Sequence, residues 1–149
     1  MKVVYDLSSA LAANPERVTK AQAMTLNNDK PFLGLRGVHG LFASSDWWSN
    51  LAKGLIATEV RTGTIERLFF AGQDARWGDE VNSFSMRADD GSVVDESIVV
   101  NDKAHRRLFH VGARIQLRYA LDELKMQPAY NAGVNYARVL LEVAVSPGT

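Results

Sequence analysis

Between Gly72 and Glu80 the chain sets Asp74, Asp79 and Glu80 beside Arg76 and Trp77, with Gly72 and Gly78 allowing sharp backbone turns. Carboxylates held close together in a partly dry site split their pKa values. One can then stay ionised and activate water while its protonated partner polarises a carbonyl. Asp74 with Asp79 or Asp90 is therefore the candidate catalytic pair of an aspartic-type hydrolase or peptidase, and Arg76 and Trp77 are candidate ligand contacts. The competing reading is a solvated loop in which Arg76 pairs with Asp74 or Asp79.

Asp89, Asp90 and Asp95 form a second acidic group, and aspartate at a hairpin turn is explained by its own backbone hydrogen bonding. Asp90-Gly91 is preceded by another aspartate rather than standing in an Asp-Thr/Ser-Gly signature, and calcium-loop spacing is absent. If Ala104 to His110 is strand-like, His105 and His110 point to opposite faces and cannot chelate one ion. Neither a metal nor a cofactor is expected. His39 sits in Gly34-Leu35-Arg36-Gly37-Val38-His39-Gly40, a spacing that fits neither a Walker A loop nor a dinucleotide fingerprint. A turn, or a strand approached closely by another backbone, accounts for it. No serine lies in a Gly-x-Ser-x-Gly elbow.

The remaining chemistry lies along two alternating segments. One carries His110, Arg114, Gln116 and Arg118 on its polar side and the other carries Tyr136, Arg138 and Glu142. In an open sheet this is a wet face. In a closed barrel, a lumen lined by Arg114, Arg118 and Arg138, with Tyr119 nearby, would hold an anionic or carboxylate-bearing ligand.

The elements that must position these groups are mostly strands. From Leu108 to Leu121 and from Val134 to Ser146, apolar and polar residues alternate with a period of two, the mark of half-buried strands. Shorter strands are predicted at Leu55 to Arg61, Thr64 to Ala71, Asn82 to Ala88 and Val93 to Val100. Thr62-Gly63 and Asp89-Asp90-Gly91 serve as their turns. The fold class is mainly β: a six-stranded antiparallel meander closing into a small barrel or curling over helices, with one to three short helices in the N-terminal third.

Among those helices, Leu7 and Leu11 follow Val3 or Val4 at near-helical spacing, ending before Asn14-Pro15. Asn14 and Pro15 can themselves open a helix running towards Met24, the alternative being a strand from Arg17 to Leu26. Asn27 to Pro31 reads as a loop. A better marked helix spans Ser45 to Lys53, with Ser44 as N-cap, Asp46 in the first turn and Gly54 as the exit residue. It carries Trp47 and Trp48 side by side, so at most one indole points into a core. The stretch Asp122 to Gly133 could be a lid over one barrel mouth or a segment docked on the core.

A length of 149 residues suits one domain, expected at 1–146 with 1–53 mixed helix and loop, 54–146 β, and 147–149 a disordered tail. With 17 basic and 17 acidic side chains there is no excess charge to favour nucleic acid or anionic lipid. No run approaches the ~20 apolar residues that span a bilayer. The absence of cysteine agrees with a cytoplasmic setting.

Three functions remain. The first is a soluble barrel binding a small molecule, and the second is a hydrolase acting on a small-molecule or peptide substrate through the carboxylate pair. The third is an assembly protein in which an exposed Trp47 or Trp48 meets a partner or a second copy, a possible homo-oligomer.

Overall fold

A computed structural model describes residues 1–72, 81–125 and 135–147. The chain is mainly β, as the alternation demands, with six antiparallel strands and a few short helices. The strands are β1 (Lys2–Asp6), β2 (Ala57–Phe69), β3 (Ser83–Ala88), β4 (Val93–Ser97), β5 (Arg114–Glu123) and β6 (Tyr136–Ser146), and the helices are α1 (Leu7–Ala13), α2 (Pro15–Leu26) and α3 (Ser45–Ala52). The sheet runs β1-β6-β5-β2-β3-β4, which leaves β1 and β4 as its terminal strands. Among the described residues no helix is long and apolar enough to cross a membrane.

The strand count matches the expectation, but its membership differs. Residues 57–69 are one continuous strand, not two joined by a turn at Thr62-Gly63. Gly63 pairs with Ala88, and a Cβ there would collide with the Arg87 carbonyl oxygen. The glycine is needed for close approach of β3, not for a hairpin. The sixth strand is instead β1, where Val3 and Tyr5 pair with the end of β6, with an irregularity at Val4, rather than entering a helix.

The strand expected from Leu108 also starts later, at Arg114. Asp102 accepts a hydrogen bond from the Ala104 backbone N–H, and Lys103–Leu108 winds into a 3-10 helix. Gly112 then turns with φ 94°. Val111, assigned by parity to the buried side, is exposed as a result. The histidine parity argument lapses too, because His105 lies in the 3-10 helix and His110 in the following turn.

Other local signals hold. The Asp89-Asp90-Gly91 turn joins β3 to β4, with Gly91 at φ 92° and the Ser92 N–H donating to Asp90 Oδ1 at 2.8 Å. Ser44 caps α3 by accepting from the Trp47 N–H, and Gly54 leaves that helix at φ 81°. Pro15 opens α2 as a first-turn residue, although the Asn14 side chain makes no capping bond.

The chain divides into two compact units. The first comprises Met1–Leu7, Val60–Arg118 and Leu141–Thr149. Its core gathers Val4, Ile65, Phe84, Met86, Phe109, Ile115, Leu117, Val143 and Val145. Asn101 lies along β1, its N–H donating to the Val4 carbonyl and its side-chain oxygen accepting from the Asp6 N–H, so that edge is not left open for another chain. The second unit comprises Ser8–Glu59 and Tyr119–Leu140, with Leu11, Phe42, Trp47, Ile56, Tyr119 and Ala120 in its core.

Candidate functional site

In the second unit, α2 has no fully buried residue, so it lies as a surface helix with one side against its neighbours. Arg17 and Ala21 fall four residues apart on one helical face. Gln22, one position on, donates through Nε2 to the Phe42 carbonyl at 2.9 Å and ties the helix to the loop that follows.

That loop, residues 27–43, is fastened at several points. The Lys125 ammonium donates to the carbonyls of Met24 (2.6 Å), Asn27 (3.2 Å) and Lys30 (3.0 Å). These include carbonyls at the helix C-terminus, where a cation is favoured and no intrahelical donor remains. The Arg36 N–H donates to the Glu123 carbonyl at 2.8 Å, the Lys125 N–H to the Gly34 carbonyl at 3.0 Å, and Arg36 pairs with Glu123 at 3.4 Å. Gly40 turns with φ 106° where a Cβ would meet the Trp47 nitrogen at 2.8 Å, which is the close backbone approach expected of this glycine-rich stretch. So anchored, the end of α2 and the loop present Leu26, Phe32, Leu33 and Val38 to solvent, at 64, 51, 51 and 47% exposure.

Beside them lies a groove of about 340 Å³ lined by Arg17 and Ala21 of α2, Leu35 and Phe42 of the loop, and Ala137, Arg138, Val139 and Leu140 of β6. Its floor is rigid. The Phe42 ring meets Trp47 edge-on at 5.3 Å, and Trp47 meets Trp48 at 4.9 Å. The Trp47 indole N–H donates to Asp122 Oδ2 at 2.9 Å. Burial pushes the Asp122 carboxyl above its ordinary range, opposed by the Trp47 and Glu123 N–H groups and by His39. Trp47 is wholly buried and therefore not the exposed contact of the assembly reading, while Trp48 is half-buried.

The rim of the groove is cationic. The Arg17 guanidinium lies 5.9 Å from the centre of the Phe42 ring and makes no ion pair among the described residues. Arg138 uses its Nε on Glu59 at 3.2 Å, and a guanidinium carries five N–H donors.

The first unit holds the acidic residues in a different condition. Arg114 clamps Asp89 through both terminal nitrogens, at 2.9 and 2.8 Å, and holds the Asp89 carboxyl below the usual range. Asp90 accepts from the Ser92 hydroxyl and N–H, which lower its pKa in the same way. Asp95 accepts from the Ser85 hydroxyl. A shallow depression of about 340 Å³ is lined by Phe69, Ala71, Ser83, Asp95, Glu96 and Ser97, and burial raises the Glu96 pKa.

Of the site residues expected from sequence, Asp74, Arg76, Trp77 and Asp79 lie outside the described residues. Asp90 sits in the β3–β4 turn, held by Ser92. Arg114 serves Asp89 in the first unit, whereas Arg138 lines the groove of the second, so the arginine row is divided between two settings. Arg118 is exposed on β5, and Tyr119 is buried. Among the described residues no group of three or more His, Asp or Glu side chains is placed to hold a metal ion.

Sequence reasoning missed Arg17, Ala21, Leu35, Phe42 and Lys125. The four-residue spacing of Arg17 and Ala21 becomes a signal only once α2 is known to be a helix. Nothing local marks Lys125, whose partners lie some hundred positions earlier.

A family model described as Immunity protein RhsI2 matches residues 1–146. No curated protein matches the chain.

Proposed function

The chain belongs to the RhsI2 immunity protein family, and from that premise we propose that it protects its host by binding a toxin protein in a tight stoichiometric complex that occludes it, without chemistry of its own. The observation that carries this reading is the family match across residues 1–146, which spans both compact units. The exposed apolar residues of the α2 end and the 27–43 loop support it, since a pre-anchored apolar surface loses little conformational freedom on docking. Among the three functions raised by the sequence, the family favours the one in which the chain meets a protein partner over the small-ligand barrel and the hydrolase. The partner contact is not Trp47, however. A chain without cysteine suits work in a reducing cytoplasm.

The test is co-expression with the toxin whose lethality the chain relieves, followed by titration of the purified toxin. Inhibition is expected to saturate at one chain per toxin, with a complex that survives gel filtration and dissociates to two intact proteins. Inactivation by sub-stoichiometric chain, or a toxin recovered cleaved, would replace occlusion by catalysis.

A further inference from the structure

We propose that the groove between α2 and β6 receives an apolar side chain of the toxin that stands next to a carboxylate, the side chain filling the groove and the carboxylate bridging Arg17 and Arg138. This deepens the toxin-binding reading and rests on it. A volume of about 340 Å³ lies at the small end of the ~300–1,000 Å³ range of ligand pockets, which suits one or two side chains rather than a large cofactor. Its walls are Ala21, Leu35, Phe42, Val139 and Leu140, and the small side chain of Ala21 is part of what leaves the space open.

Among the described residues the ionisable side chains lining the groove are Arg17 and Arg138, and the nearest carboxylate, Glu59, sits on the Nε of Arg138 rather than in the lining. Both guanidiniums are held in place, Arg17 over the Phe42 ring and Arg138 by its Nε on Glu59. Among the described residues each keeps further donors in the planar fork that suits a carboxylate. Beside an apolar floor such a pair is strengthened relative to water. The floor itself is pre-formed, since Phe42 is held by Gln22 at its carbonyl and by Trp47 at its ring.

The first experiment needs no toxin. Backbone amide spectra are recorded while N-acetyl-leucyl-glutamate amide, or its leucyl-lysine counterpart, is added to the full chain. Saturable shifts are expected at Ala21, Phe42 and Val139 with the glutamate peptide, and at least threefold weaker binding with the lysine peptide. Ala21→Trp, which fills the groove, should abolish them. Arg17→Gln with Arg138→Gln should remove the charge preference while circular dichroism and melting stay as in the wild type. This pair of exposed residues keeps the test valid if Ala21→Trp fails to fold.

With the toxin in hand, Arg17→Glu with Arg138→Glu should weaken the complex about tenfold or more. Equal shifts from both peptides, or none at these residues, overturns the inference. So does a wild-type dimer in sedimentation that Ala21→Trp dissociates, which would make a second copy the occupant. A toxin complex that forms normally with all these variants overturns the groove and leaves the toxin-binding reading standing. A wild type that binds no toxin while the peptides still saturate the groove removes the toxin instead.

Discussion

The groove of the second unit and the β3–β4 hairpin of the first are both charged, yet their charges are in opposite states of engagement. Asp89, Asp90 and Asp95 already have partners in Arg114, Ser92 and Ser85. A ligand drawn to them must first displace those bonds, so much of the attraction is cancelled. At the groove, among the described residues, Arg17 is positioned by a ring and makes no ion pair, and Arg138 donates through its Nε to Glu59. A fixed charge with donors still to use is a binding group, whereas a satisfied charge is part of the scaffold. Local density of ionisable residues, by which the sequence drew attention to the acidic hairpin, does not distinguish the two.

The largest expected effect comes from the contact beneath the groove. Trp47→Ala should cost about 3–5 kcal/mol in urea unfolding, because it empties a fully buried site under the Phe42 ring and leaves the Asp122 carboxyl without its indole donor. Amide shift changes should concentrate in residues 8–59 and 119–140. An equal spread through β3 and β4 would erase the distinction between the units.

The counterpart in the first unit is Gly63→Ala, which drives a Cβ against the Arg87 carbonyl and should cost about 1–3 kcal/mol by forcing β2 and β3 apart. Its shift changes belong in those two strands. A neutral result would mean that the strands already have room.

Asp122→Asn sharpens the comparison by pH. The folded Asp122 pKa is raised, chiefly by burial, so the folded state holds the proton more firmly than the unfolded one. Wild-type stability from this group is full below the unfolded pKa and is lost as pH rises through the folded value. The asparagine variant keeps an oxygen for the indole N–H and loses the buried charge. It should therefore be the more stable protein at neutral pH, with the gap narrowing on acidification. A gap that widens as pH falls would refute the assigned cause.

The smallest effect is expected at the exposed pair. Asp89 is held below its ordinary value by Arg114, so its contribution is present above the unfolded pKa and disappears as pH falls through the folded one. Asp89→Asn should lower the melting temperature only slightly at pH 7, and not at all at strongly acid pH. Asp90→Asn should leave toxin affinity unchanged. If it weakens the complex as much as Arg17→Glu, the hairpin and not the groove faces the partner.

Much of the framework was legible because it depends on near neighbours. Alternation in Ile115, Leu117, Leu141 and Val143 reported burial of one face, and all four are buried. Ser44 and Gly54 bounded α3, and Asp-Asp-Gly placed a hairpin, since caps and tight turns are satisfied within a few residues. The failures fall where a distant segment decides. Gly63 carries a turn signal, but its meaning is set by Arg87 and Ala88 on another strand. Leu108 to Gly112 continues the alternating pattern, yet the Asp102 cap and the Gly112 turn divert it. Val3 and Val4 fit a helix by spacing and become a strand because β6 offers hydrogen bonds.

Residue type and periodicity alone determined that this chain is mainly β, antiparallel and of even charge, because these follow from side-chain alternation and composition. Which charges are spent and which are available was settled by tertiary structure. Arg114 and Arg138 are the same residue type in equivalent-looking strands, and only the fold set one against Asp89 and the other at an apolar groove beside Arg17. An ion pair or a cavity wall joins positions far apart in sequence, so no local pattern encodes it.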